Sequence, residues 1–195
     1  MFSSASKKAK HSPSHQHVLD STGILQAAKM GNWHAFHPKV EEMAGTMSFS
    51  DYDDLPPGRR FGVIHQLAYH GHRSALETLL RFHPQVNLKR LTVDGQSMRD
   101  VAEEEGAGTD FLDYLDDRLA NQSHHELINL AKGGNWETFF VRLEQDDLPV
   151  ERIDSIPEGR TWGILHHICY CGDMTVWERF LAAYPMANLE LETYE

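Results

Sequence analysis

The chain reads Gly58-Arg59-Arg60-Phe61-Gly62-Val63-Ile64-His65 and, 101 residues later, Gly159-Arg160-Thr161-Trp162-Gly163-Ile164-Leu165-His166. The same spacing relates Tyr69 to Tyr170 and Gly71 to Gly172. Another pair of similar strings lies before these, where residues 27–33 return as residues 130–136 at a spacing of 103 residues. Matches of this length do not arise by chance, so the chain contains an internal duplication.

Each copy divides further into short units that end at a glycine. We predict helices over residues 22–30, 62–70, 97–105, 124–133 and 163–171, each ended by one of Gly31, Gly71, Gly106, Gly134 and Gly172. Glycine accepts the left-handed backbone that ends a helix. A second segment with apolar residues at helical spacing follows each glycine, as in Leu76, Leu79 and Leu80. One pair of helices cannot bury its own apolar faces, so the pattern predicts stacked pairs with a shared core.

Three strings resemble ankyrin repeats. They are Ile64-His65-Gln66-Leu67-Ala68-Tyr69-His70-Gly71-His72 before Leu79-Leu80, then Asp94-Gly95-Gln96-Ser97 before Val101-Ala102 and Gly106, and the weaker Leu165-His166-His167-Ile168-Cys169-Tyr170-Cys171-Gly172-Asp173. The Thr-Pro-Leu-His string of the family is absent from every unit. The resemblance implies an all-α fold, an ankyrin-like helix-turn-helix repeat solenoid with short hairpins or loops.

We expect a disordered tail at residues 1–20 and an ankyrin-repeat domain at residues 21–195, with a first copy at 21–120 and a second at 121–195. The tail is rich in Ser, Lys and His and has little apolar content, so ordering it would cost more entropy than it gains. Glu195 aligns with Asp94, just before a turn glycine, which suggests that the second copy is truncated or that the chain is a fragment. An uncovered C-terminal face would favour weak self-association.

The amino-acid composition indicates which class of partner the chain binds and in which compartment it folds. The chain has 18 Lys and Arg against 29 Asp and Glu, a formal charge of -11, which argues against nucleic acid and favours a neutral or basic protein. Cys169 and Cys171 stand too close together to staple a fold, which indicates a reducing compartment. With no run of about 20 apolar residues and no signal peptide, we expect a cytoplasmic protein without membrane contact, and a nuclear location is the alternative.

The resemblance implies a protein-protein interaction module without catalysis, cofactor or metal. We expect its partner protein, whose identity the sequence does not give, to contact loop tips and inner helices. The residues predicted to make contact are Tyr52, Asp53, Arg59, Arg60, Phe61, Tyr69, Arg160, Trp162 and Tyr170. Residues 50–54 and 151–154 should form projecting loops, whereas Trp33 and Trp136 should pack in the core.

The alternative is a metal-dependent or thiol enzyme that uses His166, His167, Cys169 and Cys171, whose spacing allows them to share a helix face. We favour a structural role for them. In an ankyrin-like unit, His65 and His166 would hydrogen-bond the backbone near the preceding turn, and Cys169 would replace a small core alanine. A nucleic-acid binder that uses the basic tail ranks last because the rest of the chain is acidic.

Overall fold

The computed structural model describes residues 23–46, 52, 55, 58–146 and 148–193, and all regular secondary structure in these residues is α-helical. The chain is all-α, as the sequence predicts. The helices are α1 Ile24–Lys29, α2 Trp33–Glu42, α3 Val63–Tyr69, α4 Arg73–Phe82, α5 Met98–Glu104, α6 Thr109–Lys132, α7 Trp136–Asp146, α8 Val150–Ile153, α9 Ile164–Cys171 and α10 Met174–Ala183. In the described residues, no helix has the length and apolar character needed to cross a bilayer. The predicted tail at residues 1–20 lies outside the described residues.

The chain divides into two compact units after Leu115. In the first unit α1 packs against α3, α3 packs against α5, and α2 packs against α4. The first helices of three consecutive pairs therefore form one row, and the second helices α2 and α4 pack side by side. The second unit has its own apolar core, to which α6, α7, α9 and α10 contribute Leu127, Ile128, Phe139, Phe140, Leu143, Ile164, Ile168 and Phe180.

The glycines predicted to end helices adopt left-handed backbone, and that prediction is confirmed. Their φ angles are 61° at Gly31, 56° at Gly71, 72° at Gly106, 68° at Gly134 and 68° at Gly172. After three of these glycines, the next side chain caps the following helix by accepting a backbone N–H bond: Asn32 from Ala35 at 3.2 Å, His72 from Ala75 at 3.2 Å, and Asp173 from Thr175 at 2.9 Å. Two residues thus end one helix and begin the next.

Four of the five predicted first helices agree with α1, α3, α5 and α9 to within two residues. The fifth prediction, a separate helix over 124–133, is wrong because α6 continues without a break from Thr109 to Lys132. No glycine or proline interrupts residues 109–132, and buried side chains recur four residues apart near each end of the helix. They are Phe111 and Leu115 near its start and Ser123, Leu127 and Ala131 near its end.

The two segments predicted to project as loops contribute buried side chains instead. Tyr52 is fully buried, and its hydroxyl lies 2.9 Å from Nε2 of His83. Ile153, at the end of α8, is fully buried in the core of the second unit. Tyr52 and Ile153 are 101 residues apart, so they occupy the same position in the duplication. The prediction that Tyr52 contacts a partner is therefore wrong, because burying this ring fills the core.

The two tryptophans that follow turn glycines both pack, although both stay partly exposed. Trp33 stacks on His72 with ring centroids 4.3 Å apart and meets Phe36 edge-on at 5.8 Å. Trp136 packs against the core of the second unit and meets Phe139 edge-on at 5.7 Å. The predicted packing role is confirmed. Because His72 belongs to the turn between α3 and α4, Trp33 joins one helix pair to the next.

Candidate partner-binding surface

Two aromatic side chains of the first unit lie together at the start and end of α3. The rings of Phe61 and Tyr69 have centroids 6.1 Å apart, and Phe61 also stacks on His65 at 6.2 Å. Phe61 is half-buried, whereas Tyr69 is 41% exposed. We call Phe61 and Tyr69 the first aromatic patch.

The second unit has the same arrangement around α9. The ring centroids of Trp162 and Tyr170 lie 5.4 Å apart, and Trp162 also contacts His167 at 5.3 Å. Tyr170 is 80% exposed, about twice the fraction of Tyr69. We call Trp162 and Tyr170 the second aromatic patch. Each patch places one half-buried ring beside one exposed phenol, which is the kind of side chain that binding interfaces favour.

A histidine fixes the turn that presents each patch. Nδ1 of His65 accepts the Gly62 N–H at 3.4 Å, and its Nε2 donates to the Arg90 carbonyl at 2.9 Å. Burial lowers the pKa of His65 and outweighs the opposing effect of the Arg90 carbonyl, so the ring is neutral. In the second unit Nδ1 of His166 accepts the Gly163 N–H at 3.2 Å. The predicted bonding of both histidines to nearby backbone is confirmed.

The arginine beside the first patch is tied to residues of its own unit. The guanidinium of Arg60 lies 4.9 Å from the centre of the Phe61 ring. Its Nε is 2.7 Å from a carboxylate oxygen of Asp94, and its Nη2 contacts Gln96 and lies 3.9 Å from Glu104. All these side chains are solvent-accessible, so the ion pairs add little stability. They do orient the guanidinium over the ring.

The arginine beside the second patch is held by α6. Nε of Arg160 donates to Nδ1 of His125 at 3.3 Å, and its Nη2 donates to the Asn129 side-chain oxygen at 2.8 Å. Burial, followed by the positive charge of Arg160, lowers the pKa of His125, which keeps that imidazole neutral and able to accept. The register pairs Arg160 with Arg59, which is half-buried.

The structure thus brings the predicted contact residues into two groups. Arg60 joins the first patch, and Arg160 lies in the turn that presents the second. Tyr52 belongs to the core, and Asp53 lies outside the described residues. Sequence reasoning missed the contacts of Asp94 and His125, because each reaches its arginine from 34 or 35 residues away. Such pairs depend on how the helices pack, which local spacing does not report.

The enzyme alternative gains no support from the described part of the chain. There, no three His, Cys, Asp or Glu side chains are grouped so as to hold a metal ion. Cys169 and Cys171 are exposed free thiols. His166, the proposed partner of Cys169, already uses Nδ1 to cap α9.

Comparison with models of known families, with curated proteins and with solved structures finds no significant match. The ankyrin resemblance therefore stays a prediction that rests on the residues of this chain.

Proposed function

We propose that this chain is a non-catalytic binding module for another protein, built from ankyrin-like pairs of helices within each unit. Support for the repeat assignment comes from the row of α1, α3 and α5 and from the two histidines that bond backbone at equivalent turns. Repeats of this kind present first helices and turns on one side, where side chains can change without loss of the core.

The proposal rests mainly on the two aromatic patches. Tyr170 is 80% exposed and Tyr69 is 41% exposed, although each lies next to a half-buried ring. Tyrosine loses little conformational entropy on binding because its side chain has two rotatable bonds. Exposed aromatic side chains on a rigid helix are typical of the central residues of protein interfaces.

Charge favours a neutral or basic partner. The chain carries a formal charge of -11, and complementary charge speeds association and suppresses binding to other acidic proteins. Arg60 and Arg160 lie beside the patches and supply donors to carbonyl or carboxylate groups at the rim of an interface.

The test is a comparison of four baits: the original chain, Tyr69→Ala, Tyr170→Ala and the control Met186→Ala. Met186 is also 80% exposed, so its variant removes a similarly exposed side chain away from the patches. Proteins retained on each bait are quantified by mass spectrometry, and circular dichroism checks that all four baits are folded. We expect a set of proteins that the original and Met186→Ala baits retain and the tyrosine variants lose. Equal retention on all four baits would contradict the proposal.

A further inference from the structure

An apolar groove of about 160 Å³ lies beside α9 in the second unit. The apolar residues that line this α9 groove are Trp162, Leu165, Cys169, Trp177, Leu189 and Leu191, and three polar side chains complete its lining. Leu189 is 59% exposed, Cys169 is exposed, and Trp177 is half-buried. An open apolar surface of this kind is where a protein typically binds another chain.

The duplication shows what this surface looks like when it is covered. The residues 101 positions earlier than Cys169, Trp177 and Leu189 are Ala68, Leu76 and Leu88. In the first unit these three are 0%, 0% and 3% exposed. The two surfaces occupy the same position in their copies and are both apolar, so the difference in exposure comes from what lies against them.

In the first unit α3 packs against α1, which precedes it in the chain, and against α5, which follows it. Ser97 caps this short helix, and Met98, Val101 and Ala102 are its buried residues. The turn before it is closed by a 2.8 Å bond from the Thr92 N–H to the Gln96 carbonyl. The cover of this surface is therefore a tight turn followed by a short helix with apolar or small residues at the first, fourth and fifth positions.

The turn glycines at the ends of α3 and α9 also differ in how closely neighbouring atoms approach them. A Cβ atom on Gly71 would lie 3.0 Å from Cβ of Ala107, in the segment after α5. A Cβ on Gly172, at the equivalent turn, would meet no described atom within 4 Å. The α9 groove thus lacks, among the described residues, the contacts that α5 and Ala107 make in the first unit.

We propose that the α9 groove binds a segment of a partner protein that forms a tight turn followed by a short helix with the apolar pattern of α5. This inference rests on the proposed function and names the chemistry of one partner. In a second copy of this chain, α5 is already packed on its own α3, so a copy would have to unfold its first unit to supply that segment.

Charge at the edge of the groove further specifies the partner. Around α3, Arg60 meets the acidic Asp94 and Glu104 that accompany α5. In the second copy Thr161 stands in place of Arg60, and the exposed Glu190 stands in place of Lys89. The edge of the groove is therefore more acidic than its equivalent in the first unit. The partner segment carries Lys or Arg where α5 carries acids.

The test supplies the groove with a segment of known chemistry. Glu195 falls at the register position of Asp94, so a second copy of residues 95–120 is appended after Glu195 of the full chain. The rate at which a maleimide labels Cys169 is measured with Cys171→Ser as background. We expect the appended segment to slow labelling of Cys169 by roughly tenfold or more, because the covered thiol reacts only when the cover opens.

Two controls separate coverage of the groove from other effects. Cys171, exposed two residues away and outside the groove, is labelled in a Cys169→Ser background and should keep its rate. A second fusion, in which the appended copies of Met98 and Val101 are Asp, should restore fast labelling of Cys169. A third, with the appended copy of Glu104 changed to Lys, should slow labelling further at low salt than the unmodified fusion does.

Three results would overturn the inference. One is equal labelling of Cys169 in the fused and unfused chains. Another is labelling of Cys169 in the unfused chain that slows as protein concentration rises, because a second copy would then occupy the groove. The third is retention of the same proteins by fused and unfused baits. The labelling experiment uses no partner protein. It can therefore show that the groove is not covered even if the tyrosine variants lose binding, and the two failures remain distinguishable.

Discussion

Helices α3 and α9 occupy the same position in two copies of one sequence pattern, yet their surroundings differ. Leu88 and Leu189 are the same residue at the same register, and they are 3% and 59% exposed. The histidine caps, the turn glycines and the neighbouring aromatic rings are alike in both copies. The local sequence therefore builds the pair of helices, whereas the next segment decides whether the apolar face of that pair is core or surface.

Leucine-to-alanine substitutions at the equivalent positions 88 and 189 test this contrast. Leu88→Ala should lower the free energy of unfolding by about 3 kcal/mol, because it removes a buried side chain and leaves a cavity. Leu189→Ala should change it by less than about 0.5 kcal/mol, because water already reaches most of that side chain. Urea unfolding followed by circular dichroism measures both. Similar losses in the two variants would mean that the two faces are equally covered.

A buried histidine should make the second unit sensitive to acid. His124 is 1% exposed, and burial, followed by repulsion from His125 when that ring is protonated in acid and from Arg152 and Arg160, lowers its pKa to about 4. In the unfolded chain its pKa returns to about 6.5, so the unfolded state binds more protons between these values. The stability contributed by neutral His124 is present above pH of about 6.5 and is lost as the pH falls towards 4.

The variant His124→Leu removes this titration. Between pH 7 and pH 4.5 the original chain should lose about 2 kcal/mol more stability than the variant, as measured by urea unfolding at each pH. Other histidines with lowered pKa values, such as His65 and His167, titrate in both chains and cancel in the difference. If the unfolding free energies of the original chain and of His124→Leu changed equally with pH, His124 would be protonated as easily in the folded state as in the unfolded one.

The double variant Arg60→Ala, Phe61→Ala separates binding from stability at the first patch. We expect the affinity for a partner found with the four baits to fall about tenfold, or 1.4 kcal/mol, as measured by titration calorimetry. The melting temperature should change little, because the ion pairs of Arg60 are exposed. His65→Ala is the contrasting variant and should lower the melting temperature, because His65 is buried and bridges Gly62 and Arg90. A large fall in the melting temperature of the double variant would show that Phe61 belongs to the core.

The smallest effect compares two turn glycines. Alanine at either Gly71 or Gly172 is strained by the positive φ, which costs about 1 kcal/mol. At Gly71 the added Cβ also crowds Ala107 at 3.0 Å, so Gly71→Ala should cost about 1 kcal/mol more than Gly172→Ala. Urea unfolding of both variants gives the difference. A greater loss of unfolding free energy in Gly172→Ala than in Gly71→Ala would indicate that the turn at Gly172 is covered.

Much of the local structure was predictable because local chemistry determines it. Gly31 and Gly106 end the helices that precede them, and the ring of His65 bonds the backbone of Gly62, three residues away. The continuous helix α6 was not predicted because the repeat pattern marks a helix only at residues 124–133. The absence of glycine and proline from residues 109–132 was the sequence signal for one long helix. The burial of Tyr52 was not predicted because its acidic neighbours suggested an exposed loop. Its alignment with the apolar Ile153 in the second copy was the sequence signal for burial.

The candidate site was predictable in its aromatic residues and unpredictable in its electrostatics. The repeated string that contains Phe61 and the conserved spacing of Tyr69 single these residues out, and their rings lie 6.1 Å apart in the structure. The contacts of Arg60 with Asp94 and of Arg160 with His125 join separate elements, so they follow from packing. The difference in exposure between Leu88 and Leu189 also depends on a neighbouring segment.

The most direct test of the covered and open faces is a pair of thiols at equivalent positions. Ala68→Cys, in a chain with Cys169→Ser and Cys171→Ser, places a thiol on the α3 face where Cys169 stands on the α9 face. Maleimide labelling without denaturant should be roughly a hundredfold or more slower at position 68 than at Cys169, because α5 must open first. Equal labelling rates at the two positions would show that α5 does not cover the α3 face.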